Sequence, residues 1–148
     1  MKRTLLTFLS IVLSIGLFAQ EPNDEEIKKA NPFIRFSPTE VNLGSIDVNS
    51  VTEETGKISI EAHNDGSLPL IITNVAGCCG TRITSWTREP IMPGEKGTVQ
   101  IFFRISPTPQ RISRTITVQS NAGNGKAKKI AILGEVVLPK AGNEIKLP

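Results

Sequence analysis

The sequence is poor in the residues from which most protein chemistry is built. Its 148 residues include one histidine, one tryptophan and two cysteines. The single histidine, His63, would have to serve every Ser/His/Asp or Cys/His arrangement, and it falls in a stretch that reads as a structural strand. No nucleophile–base set can therefore be assembled. The two cysteines, Cys78 and Cys79, are neighbours. That spacing matches no zinc motif and leaves two thiolates without further ligands. Glu53 and Glu54 are also adjacent and would project to opposite faces of a strand, a poor arrangement for acid–base work. The "GNG" at Gly123 to Gly125 lacks the strand–helix context of a phosphate loop. The sequence thus predicts no catalytic residue, no metal site, no cofactor and no enzyme activity.

Long hydrophobic runs are scarce as well. One uncharged, mostly apolar run, Leu5 to Phe18, follows Lys2 and Arg3 and ends in Ala19-Gln20. It is short of the roughly 20 residues that span a bilayer, and its layout is that of a cleaved secretory signal, with the cut after Ala19. No cysteine lies near the exit to carry a bacterial lipid anchor. The expectation is an exported, soluble protein, periplasmic or secreted, with no membrane span after cleavage. Excess charge is lacking too. The formal charge of +3 includes Lys2 and Arg3, and without them 15 basic residues stand against 14 acidic ones, a net +1. A near-neutral chain gives no electrostatic case for nucleic acid. Lys126, Lys128 and Lys129 form the one basic cluster and read as a solvated edge.

What remains is a β pattern. Residues 20–32 are charged and nearly without apolar content, a flexible linker with at most a short helical turn. Beyond it, short runs alternate with period two between Gly, Pro and Asn turns. "FIRF" is an edge strand ending at Pro38. "KISIEAH" turns Ile58, Ile60 and Ala62 inward and His63 outward. Asn64, Asp65 and Gly66 read as a turn. "LPLIITNV" is continuously apolar and reads as a central strand. "TRITSW" ends at Trp86, which is expected to cover one end of the core. "TVQIFFRIS" points Val99, Ile101, Phe103 and Ile105 inward and leaves Phe102 out of phase, a candidate surface aromatic. "ISRTITVQS" and "KKIAILGEVVL" place Ile112, Ile116, Val118, Ile130, Ile132, Gly134 and Val136 on inner faces. About seven strands without a long amphipathic helix predict an all-β, immunoglobulin-like antiparallel sandwich over residues 33–139, with a flexible tail at 140–148.

Several segments carry a resemblance: "LGSI" (Leu43 to Ile46), "HNDGSLPLIITNV" (His63 to Val75), the cysteine segment, "EPIMPGEKG" (Glu89 to Gly97), "ITVQSNA" (Ile116 to Ala122) and "ILGEV" (Ile132 to Val136). In this order they resemble the bacterial exported family known as domain of unknown function fifteen-seventy-three, grouped with Hydin-like, or ASH, immunoglobulin-like domains. The likeness runs from Phe36 to Val137. It implies an immunoglobulin-like sandwich in the envelope or secreted space of a Bacteroidetes-type bacterium, and it implies no activity. Family members typically read Cys-Gly-Cys-Thr where this chain has Cys78-Cys79-Gly80-Thr81, so a function of the spaced pair does not transfer directly.

An export route implies an oxidising compartment, where paired cysteines usually bridge. Adjacent Cα atoms lie about 3.8 Å apart, closer than the roughly 4.4–6.8 Å of ordinary disulfides, so a vicinal bridge is strained and easily reduced. It would not staple the fold, because the loop it closes is negligible. Four readings stay open: free thiols, a vicinal bridge, an intermolecular bridge and metal capture. Two functions follow from different classes. The first is a non-catalytic binding or structural module whose partner is another envelope or secreted protein. Its candidate surface is the loop from Cys78 to Arg82 with the "EPIMPGEKG" turn, and Phe102. The alternative is a thiol-redox or metal-handling protein that uses Cys78 and Cys79.

Overall fold

A computed structural model describes residues 23–139. The expected signal segment, 1–19, and the tail, 140–148, lie outside the described residues. Eight strands form two four-stranded sheets. In chain order they are β1 (Ile34–Ser37), β2 (Glu40–Asp47), β3 (Lys57–Asn64), β4 (Ile72–Gly77), β5 (Arg82–Trp86), β6 (Lys96–Phe102), β7 (Gln110–Ser120) and β8 (Ala127–Val137). One sheet has the order β1-β3-β6-β5 and the other β2-β8-β7-β4. A helix, α1 (Asp24–Ala30), precedes them, where the sequence suggested no more than a helical turn. Asn23 caps it by accepting from the Glu26 amide at 3.0 Å, and it buries no residue.

The period-two reading explains the core. Ile34, Phe36, Ile60, Ala62, Val99 and Ile101 from one sheet meet Val41, Ile72, Val75, Ile116, Val118, Ile130, Ile132 and Val136 from the other. Each valine, isoleucine or phenylalanine among them contributes about 1.5–3 kcal/mol when fully buried. Phe103 and Ile105 are buried as their phase requires, and Phe102 is half-buried on the outer side.

The expected sandwich is present, and four details differ from or sharpen the sequence reading. First, the about seven strands expected are eight among the described residues. β2 is hidden in the sequence because its register shifts between Asn42 and Ser45, at Gly44, whose φ is +64°. The shift breaks the alternation that marks a strand. Second, the pairing is not antiparallel throughout, since β2 runs parallel to β8. Third, the "LPLIITNV" strand is not central. β4 is an edge strand paired only with β7, and Ile71 is exposed. A register shift between Ile72 and Asn74 resets its phase, which makes a half-wet strand look continuously apolar. Fourth, Asn64 is not a turn residue in water. It ends β3 with none of its surface exposed. Its Oδ1 accepts from the amides of Phe33 (3.3 Å) and Gly66 (3.0 Å), and its Nδ2 donates to the carbonyls of Leu68 and Ile91, both at 2.8 Å. The amide side chain is thereby fully satisfied.

Candidate functional site

The chain leaves β4 on the edge of one sheet and enters β5 on the edge of the other. Residues Cys78 to Thr81 make that crossover. The Thr81 amide donates to the Cys78 carbonyl at 2.9 Å and closes the turn. Cys79 takes φ +48° and Gly80 φ +78°, two consecutive left-handed residues. Gly80 adopts this without steric cost, and Cys79 does not. Gly77 is required for a different reason: a Cβ there would sit 2.8 Å from both the Cβ and the carbonyl oxygen of Thr81.

Both cysteines are unbridged thiols, Cys78 half-buried and Cys79 exposed. Cys78 completes the β4–β7 ladder in an unusual way. Its amide donates to the Thr115 carbonyl at 3.0 Å, and its Sγ accepts from the Thr115 amide at 3.1 Å. Sulfur thus stands where a carbonyl oxygen would normally be. Arg114, next to Thr115, donates to the Cys79 carbonyl through Nη1. Its guanidinium also lies 5.7 Å from the centre of the Phe103 ring. The Thr115 amide is the main influence lowering the Cys78 thiol below its ordinary pKa. Burial opposes it, and the Cys79 thiol and the Arg114 charge assist. A thiolate is favoured by such donors and by nearby positive charge. On the outer side, Cys78 borders a shallow depression of about 360 Å³ shared with Ala76, Gly77, Thr115, Thr117 and Lys129.

Arg82 follows the crossover directly. It opens β5 and pairs with Phe102 of β6, which pairs in turn with Lys57 of β3. The two surface residues singled out in the sequence are therefore cross-strand neighbours on one outer face. They line an open cleft of about 540 Å³ with Ser59, Thr84 and Gln100. Lys57 is engaged by Glu54, whereas Arg82 has no ion pair among the described residues.

The structure separates other candidates. The Glu89 to Gly97 turn, expected to share a surface with the cysteine loop, lies at the opposite end of the sheet. There the Gly94 amide donates to the Asn64 carbonyl at 2.8 Å, and His63 pairs with Lys96. His63 is held by Glu61, Nε2 to Oε2 3.2 Å, far along β3 from the Lys57–Phe102–Arg82 row. Trp86 is half-buried against the core, with the Arg88 guanidinium 4.1 Å from its ring centre. Among the described residues no three His, Cys, Asp or Glu side chains gather as a metal site. Sequence reasoning missed Arg114. Its signal was present: Arg114 stands at the inward phase of β7, between Ile112 and Ile116.

Two packed sheets with the chain crossing between them define an immunoglobulin-like sandwich. Residues 34–136 match the family described as "Protein of unknown function (DUF1573)", and the chain belongs to that family. It is similar to a Porphyromonas gingivalis W83 protein of unknown function (TM-score 0.56, 22% identity), over 70% of this chain and 46% of that one. The chain therefore spans under half of that relative. It is also similar to PapD-like domain 7, an ASH/PapD-like domain, of human CEP192 (TM-score 0.52, 7% identity), over 94% of this chain and all of that domain. At these identities the likeness is one of fold. No match was found among curated proteins. No helix among the described residues is long and apolar enough to cross a membrane.

Proposed function

We propose that this chain is an exported, non-catalytic binding module of the bacterial cell envelope, and that its partner is another envelope or secreted protein. The observation that carries the reading is the Arg82–Phe102 pair. An aromatic ring and an arginine without an ion pair among the described residues share the outer face of a sheet, beside its β5 edge. Arginine and aromatic side chains are the residue types on which protein interfaces concentrate their energy. An edge strand adds main-chain donors and acceptors for a partner strand. The immunoglobulin-like fold supports a module that binds through its surface. The signal-like segment at residues 1–19 supports export.

The test is photo-crosslinking in the native bacterium. A benzophenone amino acid replacing Phe102 should give a discrete heavier species in the envelope fraction, and R82E should remove it. The same group at Lys126, in the turn between β7 and β8 of the other sheet, should give none. Absence of any adduct at Phe102 would refute the surface assignment. Protein confined to the cytoplasmic fraction would refute the export assignment.

A further inference from the structure

The Cys78–Cys79 crossover offers chemistry that the binding surface does not use. We propose that it is a thiol–disulfide exchange site, in which Cys78 is the nucleophile and Cys79 the resolving thiol. The substrate class is a disulfide, either a low-molecular-weight one or one exposed on another protein.

Three geometric facts carry this. The Cys78 sulfur accepts a main-chain hydrogen bond from Thr115 at 3.1 Å, a donor that stabilises the anionic form of sulfur. A second thiol, exposed, is the next residue, on a turn of two left-handed residues that turns the main chain sharply at the second sulfur. Positive charge lies on one side of the pair: Arg114 of β7 donates to the Cys79 carbonyl, and Lys129 of β8 borders the depression that Cys78 opens onto. These are the charged groups facing Cys78 from the strands packed beside it. The lowered thiol of Cys78 agrees with this geometry.

The exchange balances in two steps. The Cys78 thiolate attacks R–S–S–R′, forming Cys78–S–S–R and expelling R′S⁻. Cys79, losing its proton to solvent, then attacks the Cys78 sulfur and expels RS⁻, leaving a Cys78–Cys79 bridge. The pair is oxidised by two electrons and the substrate is reduced to two thiols. The vicinal bridge is strained, so its reduction by an incoming dithiol is favoured over that of a structural disulfide. In this cycle Cys79 and Cys78 act on sulfur directly, and Arg114 is a positioning residue.

The probe is 5,5′-dithiobis(2-nitrobenzoate), a small aromatic disulfide, added to the full chain after signal removal. The wild type should release two thionitrobenzoate ions per molecule and retain none by intact mass. C79S should release one and retain one, because nothing resolves the adduct. C78S should react roughly tenfold more slowly than C79S near neutral pH, since thiolate fraction governs attack. The pH–rate midpoint of C79S should lie below the ordinary cysteine value of about 8.5 and rise in the C79S/R114Q double variant. Thermal melts of each variant check folding, and a variant that unfolds is replaced by the alanine substitution at the same position. Wild-type protein retaining two adducts would overturn the resolving role. C78S reacting as fast as C79S would overturn the nucleophile assignment. An unmoved midpoint in C79S/R114Q would overturn the role of Arg114.

Discussion

Asn64 donates its side-chain amide to the main-chain carbonyl of Ile91 at 2.8 Å, from a position with no exposed surface. One side chain thus ties the end of β3 to the loop before β6 and, through Phe33, Gly66 and Leu68, to two further segments. Asn64→Ala would remove all four bonds and leave the Phe33 and Gly66 amides and the Leu68 carbonyl without that partner, while the Ile91 carbonyl still accepts from the Leu70 amide. The expected loss is about 2–4 kcal/mol, read as a lower urea midpoint. Asn64→Asp is more informative. Facing two carbonyls in a buried site, the new carboxyl would have its pKa raised on folding. Relative to wild type, the variant should therefore be least impaired below the unfolded carboxylate pKa of about 3.9 and lose further stability as pH rises from there through the folded value. Urea titrations at several pH values would show this trend, and a flat profile would contradict it.

At the crossover, Gly77→Ala and Cys79→Gly should act in opposite directions. The first places a Cβ 2.8 Å from the Thr81 carbonyl oxygen, a main-chain atom that cannot move alone. A loss of about 1–3 kcal/mol is expected. The second removes a side chain from a residue at φ +48°. Relief of left-handed strain, partly offset by the entropy of glycine, should leave the protein more stable by a few tenths to about 1 kcal/mol. Thermal denaturation of both variants decides whether the turn is built as described.

Arg35 pairs with Asp65 through Nε at 2.5 Å and Nη2 at 3.1 Å. The hydrogen bonds from Arg35 hold the Asp65 carboxyl below its usual range, against a partial burial that opposes them. A depressed folded pKa contributes stability above the unfolded value of about 3.9, lost as pH falls through the folded one. Both side chains are substantially exposed, so solvent screens the contribution and keeps it small. Asp65→Asn should therefore cost little at neutral pH. It should also flatten the acid limb of the stability curve slightly, which calorimetry between about pH 2 and pH 6 can resolve.

The interaction surface should be separable from stability. Arg82 is exposed and has no ion pair among the described residues, so R82E should change the unfolding free energy by no more than about 0.5 kcal/mol. Phe102 is half-buried, and Phe102→Ser should cost more than R82E, about 1 kcal/mol. Loss of partner crosslinking in R82E with an unchanged melt would place its effect on recognition alone.

Much of this molecule was legible in the sequence, because burial on a pleated strand leaves a period of two. Ile60, Ala62, Val99, Ile101, Ile116, Val118, Ile130 and Ile132 were all placed inward by alternation, and all are buried. Alternation fails where the ladder slips, and it failed there: at Gly44 in β2 and between Ile72 and Asn74 in β4. It also says nothing about polar groups that are buried because they are satisfied, so Asn64 read as a turn. The neighbouring cysteines, the out-of-phase Phe102 and Arg82 were visible as residues. That Arg82 and Phe102 are cross-strand partners, and that the Glu89 to Gly97 turn lies at the other end, were not.

The sequence by itself determined the strand-rich class, most of the inner faces, the family and the presence of two neighbouring cysteines, since each is written in local pattern. Only the tertiary structure decided which strands are edges, that β2 runs parallel to β8, and that Thr115 and Arg114 meet the crossover. Those relationships join residues tens of positions apart. Their partners are fixed by the packing of two sheets, which no local pattern encodes.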